Sequence, residues 1–224
     1  MTTFVHANRT LTSVLAPLEK RTLLWLAHRM PRAINSDHLT ALALVAMSTA
    51  GVCYSVARVW PPAMLVANIF LAINWFGDSL DGTLARVRNC QRPRYGFYVD
   101  HIVDCIGATA LLVGLGVSGY MHLTVALALV IAYLLVSAET YLATYTRHTF
   151  TLTHFQMGPT ELRIALALAN IVAFFTPEVT VWGHRVLVFD AAGVAAVLGL
   201  VVVLLTSTVR NTVGLYREEP MRQG

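Results

Sequence analysis

The sequence contains unusually little charge. Only 12% of its 224 residues are Asp, Glu, Lys or Arg, whereas a soluble domain carries about 25%. Hydrophobic residues make up 56% of the chain, and the mean hydropathy is +0.62. This composition argues against a water-soluble domain and favours an integral membrane protein. The length leaves room for one helical bundle, so we expect a single domain over residues 1–224.

Cysteine and lysine are also scarce. Cys53, Cys90 and Cys105 are an odd number with no paired spacing, and fifteen of the sixteen basic residues are arginines. The cysteine pattern argues against a disulfide framework and against a zinc site. The polar N-terminal residues contain no apolar run before a small-residue cleavage site, so a cleavable signal is not expected.

Long apolar segments dominate the remaining sequence. A spanning helix needs about 20 apolar residues, and the fifth of the six candidate segments is the shortest. The segments are 39–57, 62–86, 96–117, 123–145, 160–175 and 191–213. The sequence therefore predicts an all-α integral membrane protein with six transmembrane helices, in a bundle over about residues 39–213.

A shorter helix is expected before this bundle, over about residues 16–31. Pro17 suits the first turn, Glu19 suits the positive N-terminal end, and Pro31 closes the helix. Its imperfect apolar stripe, with basic residues on the other side, favours a juxtamembrane helix on the membrane surface. A tail helix without a membrane role is the alternative.

Arginines are distributed unevenly among the predicted loops. Arg88, Arg92 and Arg94 follow the second spanning segment, whereas the 119–122 turn has no Arg or Lys. The positive-inside rule therefore places both termini and the loop between helices two and three in the cytoplasm. We expect a bacterial inner membrane protein with its acidic residues facing the cytoplasm, and membrane lipids rather than nucleic acid as partners.

Four of the twelve acidic residues lie close together on two predicted membrane helices. Asp78 and Asp81 belong to the second helix, and Asp100 and Asp104 to the third. At about 100° per residue, each pair lies on one face of its helix. Four carboxylates at membrane depth require compensating charge. Divalent cations with oxygen ligands would supply it, and two such ions about 4 Å apart could clamp the oxygens of a phosphoryl displacement.

Small residues lie beside these acids. Gly82 and Ala85 share the face of Asp78, and Gly96 shares the face of Asp100 at about 100° per residue. Small side chains leave room for a bulky group to lie against the backbone. A site for metal alone does not need this room, whereas a nucleotide diphosphate does.

The complete pattern is D-x-x-D-G-x-x-A-R followed by G-x-x-x-D-x-x-x-D. It resembles the signature of the CDP-alcohol phosphotransferases, and the six-helix layout with a preceding surface helix is similar to that family. The pattern comprises Asp78, Asp81, Gly82, Ala85, Arg86, Gly96, Asp100 and Asp104. Nine residues separate Arg86 from Gly96, slightly more than is usual in the family, and we expect the turn to absorb the difference.

The resemblance implies an enzyme of phospholipid biosynthesis that binds two divalent cations, Mg²⁺ or Mn²⁺, and a CDP-linked donor. An alcohol hydroxyl attacks the phosphorus beyond CMP, and CMP leaves. Asp104 is the implied general base, and a homodimer is the expected assembly. The implied metal ligands are Asp78, Asp81, Asp100 and Asp104. The implied nucleotide contacts are Asp81, Gly82, Ala85, Arg86 and Gly96.

His101 leaves alternatives open for the base and for the substrates. Together with residues 158–161, Asp100-His101 resembles the choline and ethanolamine phosphotransferases of eukaryotic type, in which such a histidine is a candidate base. An orienting or structural histidine is the other interpretation. The donor is therefore either CDP-diacylglycerol, acting on a polar alcohol, or CDP-choline or CDP-ethanolamine, acting on diacylglycerol. Chain size and a predicted arginine pocket for a phosphorylated acceptor favour CDP-diacylglycerol.

Charged residues outside the motif are candidates for binding the acceptor. Arg147, Arg163 and Arg210 lie at the cytoplasmic side of three predicted helices, and arginine binds phosphate through two hydrogen bonds. Glu161 either holds Arg163 or binds an amine. Contact with lipid headgroups is the alternative for the arginines.

A different class of function also uses intramembrane acids. A cation transporter would explain the aspartates, but Gly82, Ala85 and Gly96 have no role in ion conduction. Glu139 is a further intramembrane acid, which is either a functional residue or a structural partner of Arg163 or Arg210. A non-catalytic membrane scaffold is the third interpretation.

Overall fold

The computed structural model describes residues 16–147 and 158–219 of the chain. Within these ranges the chain forms seven helices and one hairpin of two strands. The helices are α1 (Ala16–Arg29), α2 (Ser36–Ala57), α3 (Ala63–Val87), α4 (Pro93–Val117), α5 (Leu123–Arg147), α6 (Pro159–Phe175) and α7 (Val188–Glu218). The predicted helical architecture is confirmed.

Five of the described helices are long and apolar enough to cross a membrane, namely α2, α3, α4, α5 and α7. Helix α6 has 17 residues, in agreement with the short fifth segment of the sequence. The chain is therefore an integral membrane protein with five candidate spans and a sixth, shorter helix. A sixth crossing by α6 stays a prediction.

Short loops join α2 to α3, α3 to α4 and α4 to α5, so consecutive helices run in opposite directions. The end of α3 and the start of α4 therefore lie at the same end of the bundle. We call it the motif end, because the aspartates of the sequence motif are nearest to it. The loops from α2 to α3, from α4 to α5 and from α6 to α7 lie at the opposite end.

Glycines let α2 approach both helices that carry the aspartates. A Cβ atom at Gly114 of α4 would lie 2.1 Å from the carbonyl oxygen of Gly51 in α2. A Cβ at Gly77 of α3 would lie 2.6 Å from the carbonyl oxygen of Leu39, also in α2. Small residues at such crossings are a common device of membrane helix packing. Helix α2 therefore holds α3 and α4 in a fixed arrangement.

Replacement of Gly114 by alanine tests this crossing. We expect Gly114→Ala to destabilise the protein by about 1–3 kcal/mol, because the added methyl group forces the two backbones apart. The measurement is the Tm of the purified protein in detergent. Gly199→Ala in α7 is the matched control, because a Cβ there meets nothing within 4 Å. Equal Tm values for the two variants would contradict the close approach.

The hairpin at the opposite end was not predicted. Strand β1 (Glu178–Val181) pairs antiparallel with β2 (His184–Leu187). Trp182 and Gly183 form the turn between them with φ angles of 48° and 82°. Two residues of positive φ are typical of a type I′ turn. Trp-Gly is not the Asn-Gly or Asp-Gly pair by which such turns are recognised, so the sequence carried little signal for it.

Helix α1 packs against the motif end of the bundle. Its buried residues Leu23 and Ala27 form an apolar cluster with Leu39, Leu80 and Leu84 of α2 and α3. The second half of α1 therefore packs against the same part of α3 that carries the first two aspartates.

Arg88 holds the loop that follows α1. Its guanidinium group donates hydrogen bonds to the backbone carbonyls of Met30, Pro31 and Ile34. Because Arg88 directly follows α3, these bonds join the end of α3 to the end of α1.

Candidate functional site

Three aspartates from two helices meet near the motif end. Carboxylate oxygens of Asp78 in α3 and of Asp100 and Asp104 in α4 lie within 4.8 Å of one another. Asp100 and Asp104 are about one helical turn apart and therefore share a face. All three residues are half-buried. This set of oxygen ligands fits a hard divalent cation such as Mg²⁺.

The fourth predicted ligand, Asp81, lies against α2 instead. Its Oδ2 accepts a hydrogen bond from Oγ1 of Thr40 at 2.5 Å, and its Oδ1 accepts one from the backbone N–H of Gly82. The hydroxyl of Ser36 donates to the backbone carbonyl of Asp81 at 3.1 Å. The structure therefore brings together three of the four predicted ligands and orients the fourth toward Thr40.

Arg163 of α6 faces the carboxylates. Its Nη2 donates to Oδ2 of Asp78 at 2.6 Å, and its Nε donates to Oδ1 of Asn74 at 2.8 Å. Asn74 is itself buried, and its Nδ2 donates to the backbone carbonyl of Ala43 at 2.9 Å. The guanidinium plane is therefore held by α3, and through Asn74 by α2.

One nitrogen of this guanidinium group has no partner among the residues that the structure describes. Nη1 of Arg163 is buried and makes no hydrogen bond within the part of the chain that the structure describes. A buried donor without a partner costs about 1–3 kcal/mol. A ligand oxygen beside Asp78 would satisfy this nitrogen and remove the penalty.

The charge of the cluster also favours a cation. Arg163 forms its ion pair with Asp78, while Asp100 and Asp104 lie within the same 4.8 Å group. One guanidinium group balances one carboxylate, so the ionised cluster has an excess of negative charge. A bound divalent cation would compensate that excess.

Gly82 and Gly96 border open space. A Cβ at Gly96 would meet nothing within 4 Å, and one at Gly82 would first meet Nη1 of Arg86 at 3.5 Å. Helix packing therefore does not require a small residue at either position, unlike at Gly114. The open space at these two positions is available to a ligand. Ala85 is half-buried and Arg86 is exposed at the same end of α3.

His101 is buried between α4 and α5. Its ring lies over Phe97 with a centroid separation of 4.1 Å and meets Tyr141 edge-on at 4.8 Å. Nδ1 donates to the backbone carbonyl of Phe97 at 2.6 Å and lies 3.8 Å from Oδ2 of Asp100. These contacts fix the ring and direct its Nδ1 proton to Phe97, which supports a structural role for His101.

Of the predicted acceptor residues, the structure brings Arg163 to the carboxylates. Oε2 of Glu161 accepts a hydrogen bond from the backbone N–H of Gly158 at 3.0 Å, which caps the start of α6. Arg210 is exposed on α7. Arg147 is the last residue of α5, and its side chain lies outside what the structure describes.

Glu139 does not pair with either arginine that was predicted for it. Its Oε1 accepts a hydrogen bond from Nδ2 of Asn211 at 2.6 Å, whereas Arg163 is paired with Asp78. The contact joins α5 to α7. Glu139 therefore has a polar partner within the bundle without a compensating cation from Arg163.

Sequence reasoning missed Asn74 and Thr40, which hold Arg163 and Asp81. Asn74 was recognisable in principle, because it is a polar residue in an apolar run and lies one helical turn before Asp78. Thr40 offered less signal, since threonine is common in membrane helices and the contact joins two helices.

A known protein family matches most of the chain. The family model described as CDP-alcohol phosphatidyltransferase matches residues 34–207. No curated protein matches the chain. The match includes every residue of the sequence motif and the helices that position it, so the resemblance seen in the motif is confirmed. With its aspartates gathered at one end of an apolar helix bundle, the chain belongs to the CDP-alcohol phosphatidyltransferase family.

Proposed function

We propose that this transferase moves a phosphatidyl group from CDP-diacylglycerol to the hydroxyl of a polar alcohol and releases CMP, as a step of phospholipid biosynthesis. The observation that carries the proposal is the group of carboxylates from Asp78, Asp100 and Asp104 within 4.8 Å. Beside it lies Nη1 of Arg163, which has no hydrogen-bond partner among the described residues. The group offers oxygen ligands for cations, and Arg163 offers a donor for an anionic substrate.

Two divalent cations, Mg²⁺ or Mn²⁺, are proposed to bind at these carboxylates. The family is metal-dependent, and the oxygen ligands and excess negative charge of the cluster fit such ions. Asp81 is proposed as the fourth ligand, which requires its carboxylate to turn away from Thr40. When bound, the ions would neutralise charge on the phosphate oxygens and help CMP to leave.

The CMP part of the donor is proposed to lie beside Gly82, Ala85 and Gly96. Support comes from the open space at both glycines, where a Cβ would meet no backbone atom within 4 Å. Asp81 and Arg86 border the same space and are proposed to contact the nucleotide.

Asp104 is the proposed general base. It belongs to the carboxylate group, so an acceptor hydroxyl bound there would be within hydrogen-bond reach of it. His101 is the second candidate, but its Nδ1 donates to the carbonyl of Phe97, so the base would have to be Nε2. A structural role for His101, packed against Phe97 and Tyr141, is better supported.

The acceptor is proposed to bind on the α6 side of the carboxylates. Nη1 of Arg163 would donate to a phosphate or other anionic group of the acceptor. Arg147, Glu161 and Arg210 are proposed to border this side, although Glu161 already caps α6. An arginine at this position favours CDP-diacylglycerol over a CDP-amino-alcohol donor, whose acceptor is the uncharged diacylglycerol.

We further propose the membrane arrangement predicted from the sequence. Helix α6 makes the sixth crossing, and α1 lies on the membrane surface as a juxtamembrane helix. The motif end faces the cytoplasm at the bacterial inner membrane, where soluble CMP can leave. The chain forms one domain and assembles as a homodimer.

A panel of donors and acceptors tests the reaction. The purified protein in lipid nanodiscs would receive CDP-diacylglycerol, CDP-choline or CDP-ethanolamine with Mn²⁺, each with inositol, inositol phosphate, glycerol phosphate or diacylglycerol. We expect CMP release with CDP-diacylglycerol and a polar alcohol, and none after EDTA treatment. Product only from CDP-choline or CDP-ethanolamine would refute the donor. Failure to bind CDP or CMP with Mn²⁺, together with cation flux in proteoliposomes, would favour a transporter.

Alanine at the open glycines tests the nucleotide site. We expect Gly82→Ala and Gly96→Ala each to weaken CDP binding about tenfold, which corresponds to about 1.4 kcal/mol, because the methyl group occupies space meant for the ligand. The Tm without ligand should not change. Gly199→Ala should leave both CDP affinity and Tm unchanged, because its Cβ also meets nothing within 4 Å. CDP affinity equal to wild type in both variants would place the nucleotide elsewhere.

A further inference from the structure

Glu19 of α1 connects the two helices that carry the ion pair of the site. Its Oε1 accepts hydrogen bonds from Nε1 of Trp75 at 2.9 Å and from Oγ of Ser79 at 3.2 Å, both on α3. The same oxygen accepts a hydrogen bond from Oγ1 of Thr160 on α6 at 2.7 Å. One carboxylate oxygen therefore joins α3 to the start of α6.

These contacts lie next to both members of the ion pair. Ser79 directly follows Asp78, and Thr160 precedes Arg163 by less than one turn of α6. The distance between the α3 and α6 backbones at this level decides how the guanidinium group of Arg163 meets Asp78. A carboxylate that accepts hydrogen bonds from both helices limits that distance.

Glu19 lies outside both the family match and the group of carboxylates. The family match begins at residue 34, so it does not include α1. Glu19 does not belong to the group of carboxylates that could hold a cation. Helix α1 is also held independently by buried Leu23 and by the bonds of Arg88 to the loop after it. Loss of the Glu19 contacts should therefore leave α1 docked.

We propose that Glu19 is a positioning residue. By holding Ser79 and Thr160 on one oxygen, it sets the spacing of α3 and α6 and thereby directs Nη1 of Arg163 toward the acceptor. The proposed nucleotide site borders Gly82 of α3 and Gly96 of α4, and both helices pack closely against α2. Loss of the Glu19 contacts should therefore weaken acceptor binding through Arg163 and leave CDP binding unchanged. This inference rests on the proposed transfer reaction.

The test compares the Michaelis constants of two Glu19 variants. Wild type and variants would be assayed in nanodiscs with CDP-diacylglycerol, Mn²⁺ and the polar alcohol that wild type accepts in the donor panel. Loss of hydrogen bonds to a charged group should raise the acceptor KM about tenfold in Glu19→Ala. The dissociation constant of CDP should stay at the wild-type value. Glu19→Gln keeps an oxygen at the same position and should restore most of the acceptor affinity.

Two further variants separate positioning from a loss of stability. Thr160→Val removes the α6 donor and should reproduce the higher acceptor KM, with little added effect when combined with Glu19→Ala. Leu23→Ala weakens the apolar docking of α1 and should lower Tm without changing the acceptor KM. This control uses a residue of α1 that makes no polar contact with α6.

Specific outcomes would overturn the inference. In an active wild type, an unchanged acceptor KM in Glu19→Ala or Thr160→Val refutes the positioning role. An equal rise in the acceptor KM and the CDP dissociation constant shows a general disturbance and also refutes it. Glu19→Gln as impaired as Glu19→Ala refutes positioning by the shared hydrogen bonds, because the oxygen is kept and only the charge is lost. A wild type that transfers no phosphatidyl group refutes the proposed function itself.

Discussion

Asp104→Asn is expected to abolish phosphatidyl transfer while CDP still binds. The substitution keeps the shape of the side chain but removes a carboxylate from the group within 4.8 Å. An amide cannot accept the proton of the acceptor hydroxyl, and loss of general base catalysis costs about 10²–10⁴ in rate. The measurement is CMP release at saturating Mn²⁺ and donor, with CDP binding followed separately by calorimetry.

Asp190→Asn is the matched control for this prediction. Asp190 lies in the first turn of α7 at the opposite end of the bundle, where it pairs with His122. The same chemical change there should leave transfer at the wild-type rate. Activity of Asp104→Asn within threefold of wild type, combined with an inactive His101→Ala, would assign the base to His101. If both variants stay active, neither Asp104 nor His101 is the base.

Arg163→Gln is expected to lower both the stability of the protein and its kcat/KM for the acceptor. Removal of one partner from a buried ion pair costs about 3–5 kcal/mol, because the other charge is left unpaired. The side chains of Arg163 and Asp78 are 13% and 19% exposed, so Asp78 would keep little water. The Tm in EDTA should therefore fall, and kcat/KM for the acceptor should fall at least about 100-fold.

Divalent cations provide a second measurement on this variant. A cation beside Asp78 would replace the missing positive charge, so Mg²⁺ or Mn²⁺ should raise the Tm of Arg163→Gln more than that of wild type. Arg185→Gln in the hairpin is the control, because its pair with Glu178 is exposed, at 3.9 Å. The assigned role of Arg163 is wrong if Arg163→Gln has the kcat/KM of wild type for the acceptor. It is also wrong if cations raise the Tm of Arg163→Gln and of wild type equally.

The features predicted correctly are those that repeat along one segment of chain. Hydropathy over about 20 residues identifies a spanning helix whatever its neighbours are, and five of the described helices have the required length and composition. The 3.6-residue helical period likewise places Asp100 and Asp104 on one face before any packing is known. The short α6 is the borderline case, because 17 residues lie at the lower limit of the same criterion.

The partner of a side chain was hardest to predict where polar residues on several helices lie at the same depth. Glu139 was assigned to Arg163 or Arg210, but its partner is Asn211. Helical depth restricts the candidates to those near the same level of the membrane. It does not specify which helix lies alongside, since that depends on how all the helices pack.

The sequence alone was sufficient to establish a membrane protein with a family-specific acidic motif, because both are patterns of neighbouring residues. Tertiary structure decided which atoms of that motif act together. It turned Asp81 toward Thr40 and brought Arg163 to Asp78. Within residues 16–147 and 158–219, it left Nη1 of that arginine without a hydrogen-bond partner. It also brought Glu19 onto α3 and α6. Each of these contacts joins different helices, and helix packing is set by side-chain volume and close approach, which no local period encodes.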